Sequence, residues 1–175
     1  MLWAELAIGL AKSLPEEARL IDAKGLPVAK GKRAQWARCP EATKGFSTRG
    51  MVYGFKLHAL VNHRGLFERW SFAPANIAEV SVATSLTAGL ESQLIVGDKG
   101  YIGHPGIITP KRKNMKAKGS WNKALSRIRK RIESSFSVLV RSLTLHAAQV
   151  KTFWSLQARV NLKIAAHNLI HSGLL

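Results

Sequence analysis

Hydrophobic positions recur along this chain with two periods, and the change from one to the other divides it into elements. Leu2, Trp3, Leu6 and Leu10 fall at roughly helical spacing, and the SLPEE that follows breaks the pattern. This predicts a short N-terminal helical remnant over residues 1–18, ahead of one domain over 19–175. RLID is an apolar run that stops at Asp22 and reads as a strand. The stretch after it, AKGLPVAKGKRAQWARCPEATKGFSTRG, is rich in Gly, Pro and basic residues and is predicted to be loop. Tyr53, Phe55, Leu57, Ala59 and Val61 then alternate with small or polar residues. With LFERWSFAPAN they predict a β-hairpin that turns at His63-Arg64-Gly65. EVSVATSLTAGL reads as a helix, Leu94-Ile95-Val96 as a buried strand ending at Gly97 and Asp98, and GIITP as a short strand closed by proline.

From Ser120 the period is helical. Leu125, Ile128, Ile132, Phe136, Leu139 and Leu143 lie within about 80° of one another on a wheel of 100° per residue, a core-facing stripe. FWSLQARVNLKIAAHNLI is apolar on most sides and is expected to be a buried or half-buried last helix. The order strand, hairpin, helix, strand, short strand, helix, helix predicts an α/β fold, a mixed sheet flanked by helices. At 175 residues the chain has the length of one compact domain.

Charge narrows the partners. Twenty-seven Lys and Arg against 10 Asp and Glu give a net charge of +17, an excess that attracts polyanions by counterion release. Nucleic acid is the leading partner class; coating of ribosomes or membranes by charge alone is the alternative. The single cysteine, Cys39, permits no intramolecular disulfide and no cysteine-rich zinc site. No segment is long and apolar enough to span a bilayer, so the expected setting is the cytoplasm, in association with the nucleoid.

The chain contains only two Asp residues, and each directly follows an apolar run: LID at Asp22 and LIVGD at Asp98. Carboxyl ends of strands are where catalytic groups gather in sheets flanked by helices. Glu133 lies about 100° from the centre of the apolar stripe of its helix, which places it at the rim. Three clustered carboxylates repel one another unless a cation lies among them, and hard ions such as Mg²⁺ or Mn²⁺ take oxygen ligands. Two such ions support in-line displacement at phosphorus. The same residues are equally compatible with two turn aspartates and a surface glutamate.

The wording around these acids resembles the DDE transposases of bacterial insertion sequences, whose catalytic domain is ribonuclease H-like. The resemblance runs from about Arg19 to His171 through LIDAKGLPV, GFKLHALVN, LIVGDKGYIG and RKRIESSFSVL. Its most specific parts are DKGY at Asp98 to Tyr101 and the R-x-x-x-E-x-x-F of Arg129, Glu133 and Phe136, with 34 residues between Asp98 and Glu133. It implies that Asp22, Asp98 and Glu133 hold Mg²⁺ or Mn²⁺, two ions in all, and that Arg129 contacts DNA phosphate near the cut. It also implies double-stranded DNA as the partner, as transposon ends and target, and a homodimer on paired ends. Many relatives carry Tyr three residues before that arginine and Lys seven after the glutamate; Ser126 and Val140 stand there instead, with Arg141 as the substitute cation. Relatives also have a longer N-terminal recognition region, so the chain resembles a truncated copy.

Basic residues lead into the acidic site. Ten Lys or Arg lie between Lys111 and Arg131, among them Lys111, Arg112, Lys113, Lys116, Lys118, Arg127 and Lys130, and they are candidates for phosphate contact, as is Lys99 beside Asp98. A second cluster holds Lys30, Lys32 and Arg33, with Trp36 either stacking on a base or anchoring its loop. Lys56 and His58 share one strand face and either approach DNA or are simply exposed. His167 and His171 are four apart, but a zinc pair without a third ligand is disfavoured. Three functions remain in view: metal-dependent cleavage and strand transfer at the ends of an insertion sequence, a catalytically inactive DNA-binding remnant, and a ribonuclease H-like nuclease acting on hybrids.

Overall fold

The computed structural model describes residues 18–29, 39–47, 50–90, 93–112, 114, 123–147, 150 and 152–173. Residues 1–17 of the predicted N-terminal helix lie outside the described residues, as do Trp36, Lys30, Lys32, Arg33, Lys113, Lys116 and Lys118.

Among the described residues six strands form one sheet: β1 (Ala18–Pro27), β2 (Thr43–Ser47), β3 (Gly50–Asn62), β4 (Phe67–Pro74), β5 (Leu94–Gly97) and β6 (Ile107–Ile108). The order is β2-β3-β1-β5-β6, with β4 also paired to β3. β1 is antiparallel to β3 and parallel to β5, and β5 is parallel to β6. Three helices flank this sheet among the described residues: α1 (Glu79–Thr87), α2 (Lys123–Arg141) and α3 (Phe153–His171). A mixed sheet with an antiparallel meander, a helical crossover and two parallel strands is the α/β, ribonuclease H-like arrangement expected from the sequence.

Both faces of the sheet are covered, and the strand period sorts the residues between them. Leu20, Leu57, Ala59, Val61 and Val96 point to the side where α2 supplies Ile132, Phe136 and Leu139 and α3 supplies Leu156, Val160 and Ile164. Ile21, Leu60 and Ile95 point the other way, to Ala83 and Leu86 of α1 and to Tyr101 and Ile107. The predicted stripe of α2 is confirmed: Leu125, Ile132, Phe136 and Leu139 are buried, and Ile128 and Leu143 pack against them.

Polar side chains fix α3 on the sheet. Asn168 accepts from the Phe67 amide at 2.9 Å and donates to its carbonyl at 2.8 Å, so it satisfies both backbone groups of that residue. Trp70 Nε1 donates to Asn161 at 2.8 Å, and Thr152 caps the helix by accepting from the Ser155 amide.

Three expectations need correction. The stretch predicted to be loop contains β2, because Thr43 to Ser47 pair antiparallel with Gly50 to Gly54 of β3. β1 does not stop at Asp22; it runs five residues further, because Ala23 to Pro27 pair with Gly54 to His58 of the long β3. Long-range pairing thus overrides the local signal of Lys24 and Gly25. His58 does not lie on an exposed face: it is fully buried, since α1 covers that side of β3.

Candidate active site

Asp22 sits in the middle of β1 and faces the α2 side, like its register partner Ala59. β5 is much shorter. It leaves the sheet level with Ile21, whose parallel partner is Gly97, and the next residue on each strand is an aspartate. Asp98 then caps a 3-10 turn over Lys99–Tyr101 by accepting from the Lys99 amide at 2.7 Å. Glu133 comes from α2, on the same side of the sheet as Asp22, and pairs with Arg129 one helical turn earlier at 2.8 Å.

All three acids line one open cavity of about 600 Å³. Of the other residues named from sequence, Arg129 and Lys56 line it too. Arg141, beside the Val140 that departs from the relatives' pattern, also lines it. Lys99, Arg112, Arg127 and Lys130 are exposed outside the cavity, and Lys111 is half-buried outside it. Cys39 belongs to the core, and His167 is held against the Gly65 carbonyl at 3.1 Å, a structural role.

One of the cavity's four carboxylates was not singled out from sequence: Glu79, the first residue of α1. Its carboxylate lies 3.8 Å from Lys56 Nζ, which also donates to the Ile77 carbonyl at 3.0 Å. α1 is only weakly amphipathic, and a glutamate in a first turn is ordinary helix chemistry, so sequence gave it no distinction. Its link to the acids comes only through the fold.

The charges are arranged at a cost. Burial pushes the Asp22 carboxyl up to about 7, with Glu79 and Asp98 adding to the rise and the Ala23 amide and Arg129 opposing it. Glu79 is raised as well, first by burial and then by Asp98, against the pull of Lys56. Carboxylates that resist ionisation beside one another suit a site completed by a divalent cation, and oxygen donors suit Mg²⁺ or Mn²⁺. Among the described residues, no three His, Cys, Asp or Glu side chains converge tightly enough to hold a metal ion. The Glu133 carboxylate is engaged by Arg129. The donor chemistry therefore fits such an ion, with side-chain closure required on binding.

A ribonuclease H-like sheet that gathers carboxylates from two parallel strands and a helix defines a class of phosphoryl-transfer domains. The sequence profile of a family described as Transposase DDE domain matches residues 12–150, and the chain belongs to that family. Comparison with curated proteins and with solved structures returns no match. Its general role is that of a transposase catalytic domain, with DNA as partner. No helix among the described residues is long and apolar enough to cross a membrane.

Proposed function

We propose that this chain carries out divalent-metal-dependent cleavage and strand transfer of DNA at the ends of an insertion sequence. The observation that carries the reading is that Asp22, Asp98 and Glu133, 111 residues apart at the extremes, line a single cavity with Arg129. Asp22, Asp98 and Glu133 would hold Mg²⁺ or Mn²⁺. When bound, two such ions supply activation of a water or 3′-hydroxyl and stabilisation of the leaving oxygen.

The protein's own contribution is positioning. β1 and β5 fix the two aspartates by register, so little conformational freedom is lost when they close on a cation. Arg129 and Arg141 place positive charge at the cavity wall, where a scissile phosphate gains charge-assisted hydrogen bonds. Lys99, Lys111, Arg112, Arg127 and Lys130 are assigned to the flanking DNA backbone, together with the basic residues outside the described segments. A homodimer on paired ends and a nucleoid location belong to the same reading.

The second reading, an inactive DNA-binding remnant, is favoured by one observation: Glu133 is engaged with Arg129 rather than converged with the aspartates. Nicking of supercoiled plasmid by the whole chain in Mg²⁺ or Mn²⁺, beside Asp98→Ala, separates the two. Metal-dependent nicking that the variant lacks supports the enzyme. Salt-sensitive DNA binding without nicking, unchanged in the variant, supports the remnant.

A further inference from the structure

Acidic residues are scarce in this basic chain, ten in all, yet four of them, Asp22, Glu79, Asp98 and Glu133, line one cavity. Glu79 reaches it from the opposite side of the sheet to Glu133. It is carried by α1, which packs against β3, β4 and the turn after Asp98. Two features hold its carboxylate there. Lys56 lies 3.8 Å away, at the long end of ion-pair distance, and spends a proton on the Ile77 carbonyl as well. Gly100, two residues after Asp98, leaves room for it: a Cβ at Gly100 would fall 1.8 Å from Glu79 Oε2. The carboxylate thus lies directly over the turn that Asp98 caps.

A separate feature lies beside the same acids. Tyr101 is fully buried, its hydroxyl has no hydrogen-bond partner among the described residues, and it lies within the joint field of Asp22, Glu79 and Asp98. A buried hydroxyl without a partner among the described residues, in the field of three carboxylates, is an expensive arrangement for a purely structural site. A cation among those carboxylates, with its own water, relieves both the repulsion and the orphaned group.

We propose that Glu79 is a fourth carboxylate of the divalent-cation site, held over Asp98 by Lys56 and admitted by the bare backbone of Gly100. This rests on the reading of Asp22, Asp98 and Glu133 as cation ligands. The competing role is local: a first-turn glutamate that complements the dipole of α1, whose N-cap Ala78 provides no side-chain hydrogen bond. That role contributes to stability only.

The test is calorimetric titration of Mn²⁺ into the whole chain without DNA, for the unaltered protein and for Glu79→Gln, Gly100→Ala and Asp98→Ala, with urea unfolding of each. Glu79→Gln and Gly100→Ala are both expected to weaken Mn²⁺ by about tenfold or more, the scale on which metal sites respond to loss of a supporting group. Gly100→Ala keeps every charge and displaces only the carboxylate, so it gives the answer even if Glu79→Gln folds poorly. Full Mn²⁺ affinity in both variants, with affinity lost in Asp98→Ala, overturns the role of Glu79 and leaves the triad reading intact. Absence of Mn²⁺ binding in the unaltered chain, or binding that Asp98→Ala does not change, overturns both.

Discussion

Asp22 and Asp98 occupy adjacent positions because the residues before them, Ile21 and Gly97, are partners where β1 and β5 run parallel. The contact that sets this register is tight. A Cβ at Gly97 would meet Ile107 at 2.8 Å, Ile21 at 3.0 Å and Tyr101 at 3.1 Å, all buried side chains. Gly97→Ala should therefore lower stability by about 1–3 kcal/mol, as overpacking of a filled core does. It should also weaken Mn²⁺ binding by shifting Asp98 away from Asp22. Urea unfolding and calorimetry measure the two effects.

A buried ion pair anchors the start of β1. Arg19 Nε donates to Glu68 on β4 at 2.6 Å, and both residues are almost wholly excluded from solvent. Removing Arg19 takes away the cation that pairs with the buried Glu68 carboxylate, so Arg19→Met should cost about 3–5 kcal/mol. The double variant Arg19→Met/Glu68→Leu should recover much of that loss. Urea midpoints of the single and double variants check both statements.

Two histidines lower stability toward acid, while Asp22, held up to about 7 by burial, gains stability as pH falls from 7 toward 4 and offsets part of that loss. Burial pulls His58 down to about 4, with Lys56 assisting, and burial pulls His167 down to about 4, with His171 assisting and the Gly65 carbonyl opposing. Both groups are neutral in the folded chain and titrate near 6.5 when unfolded. Their contribution is thus fully present above about pH 6.5 and is lost as pH falls toward 4. The slope is about 1.4 kcal/mol per pH unit for each. His58→Phe should flatten the fall in urea midpoint between pH 7 and pH 5; an unchanged fall would place the acid sensitivity elsewhere.

Much of the architecture was legible because the periods are strong. The hairpin of β3 and β4, the apolar run of β5 and the stripe of α2 each carry their own pattern, and Asp98 and Glu133 come with them. The extension of β1 was not legible, since Lys24 and Gly25 argue locally for a loop and only pairing with β3 keeps them extended. His58 was misjudged for a related reason: alternation shows that a strand has two faces, and it cannot show that α1 covers the second one. Glu79 carried no local signal, because its meaning depends on Gly100 and Asp98, about twenty residues away in sequence.

Cationic residues inside the cavity should act on DNA more directly than general charge does. Arg141 lines the cavity beside Val140. Arg141→Ala should weaken binding to any duplex and reduce the slope of log affinity against log salt by about one. Fluorescence anisotropy with a labelled duplex across a salt series measures that slope.

The central claim is that Asp22, Asp98 and Glu133 work as a single unit on a bound divalent cation. Rates of plasmid nicking in Mn²⁺ test it most directly, for Asp22→Asn, Asp98→Asn, Glu133→Gln and the Asp22→Asn/Asp98→Asn double variant, each shown to be folded by urea unfolding. Residues that act together are strongly non-additive, so each single variant should lose at least about a hundredfold and the double variant little more. Full nicking in any one of the three, or losses that simply multiply in the double variant, would contradict the account.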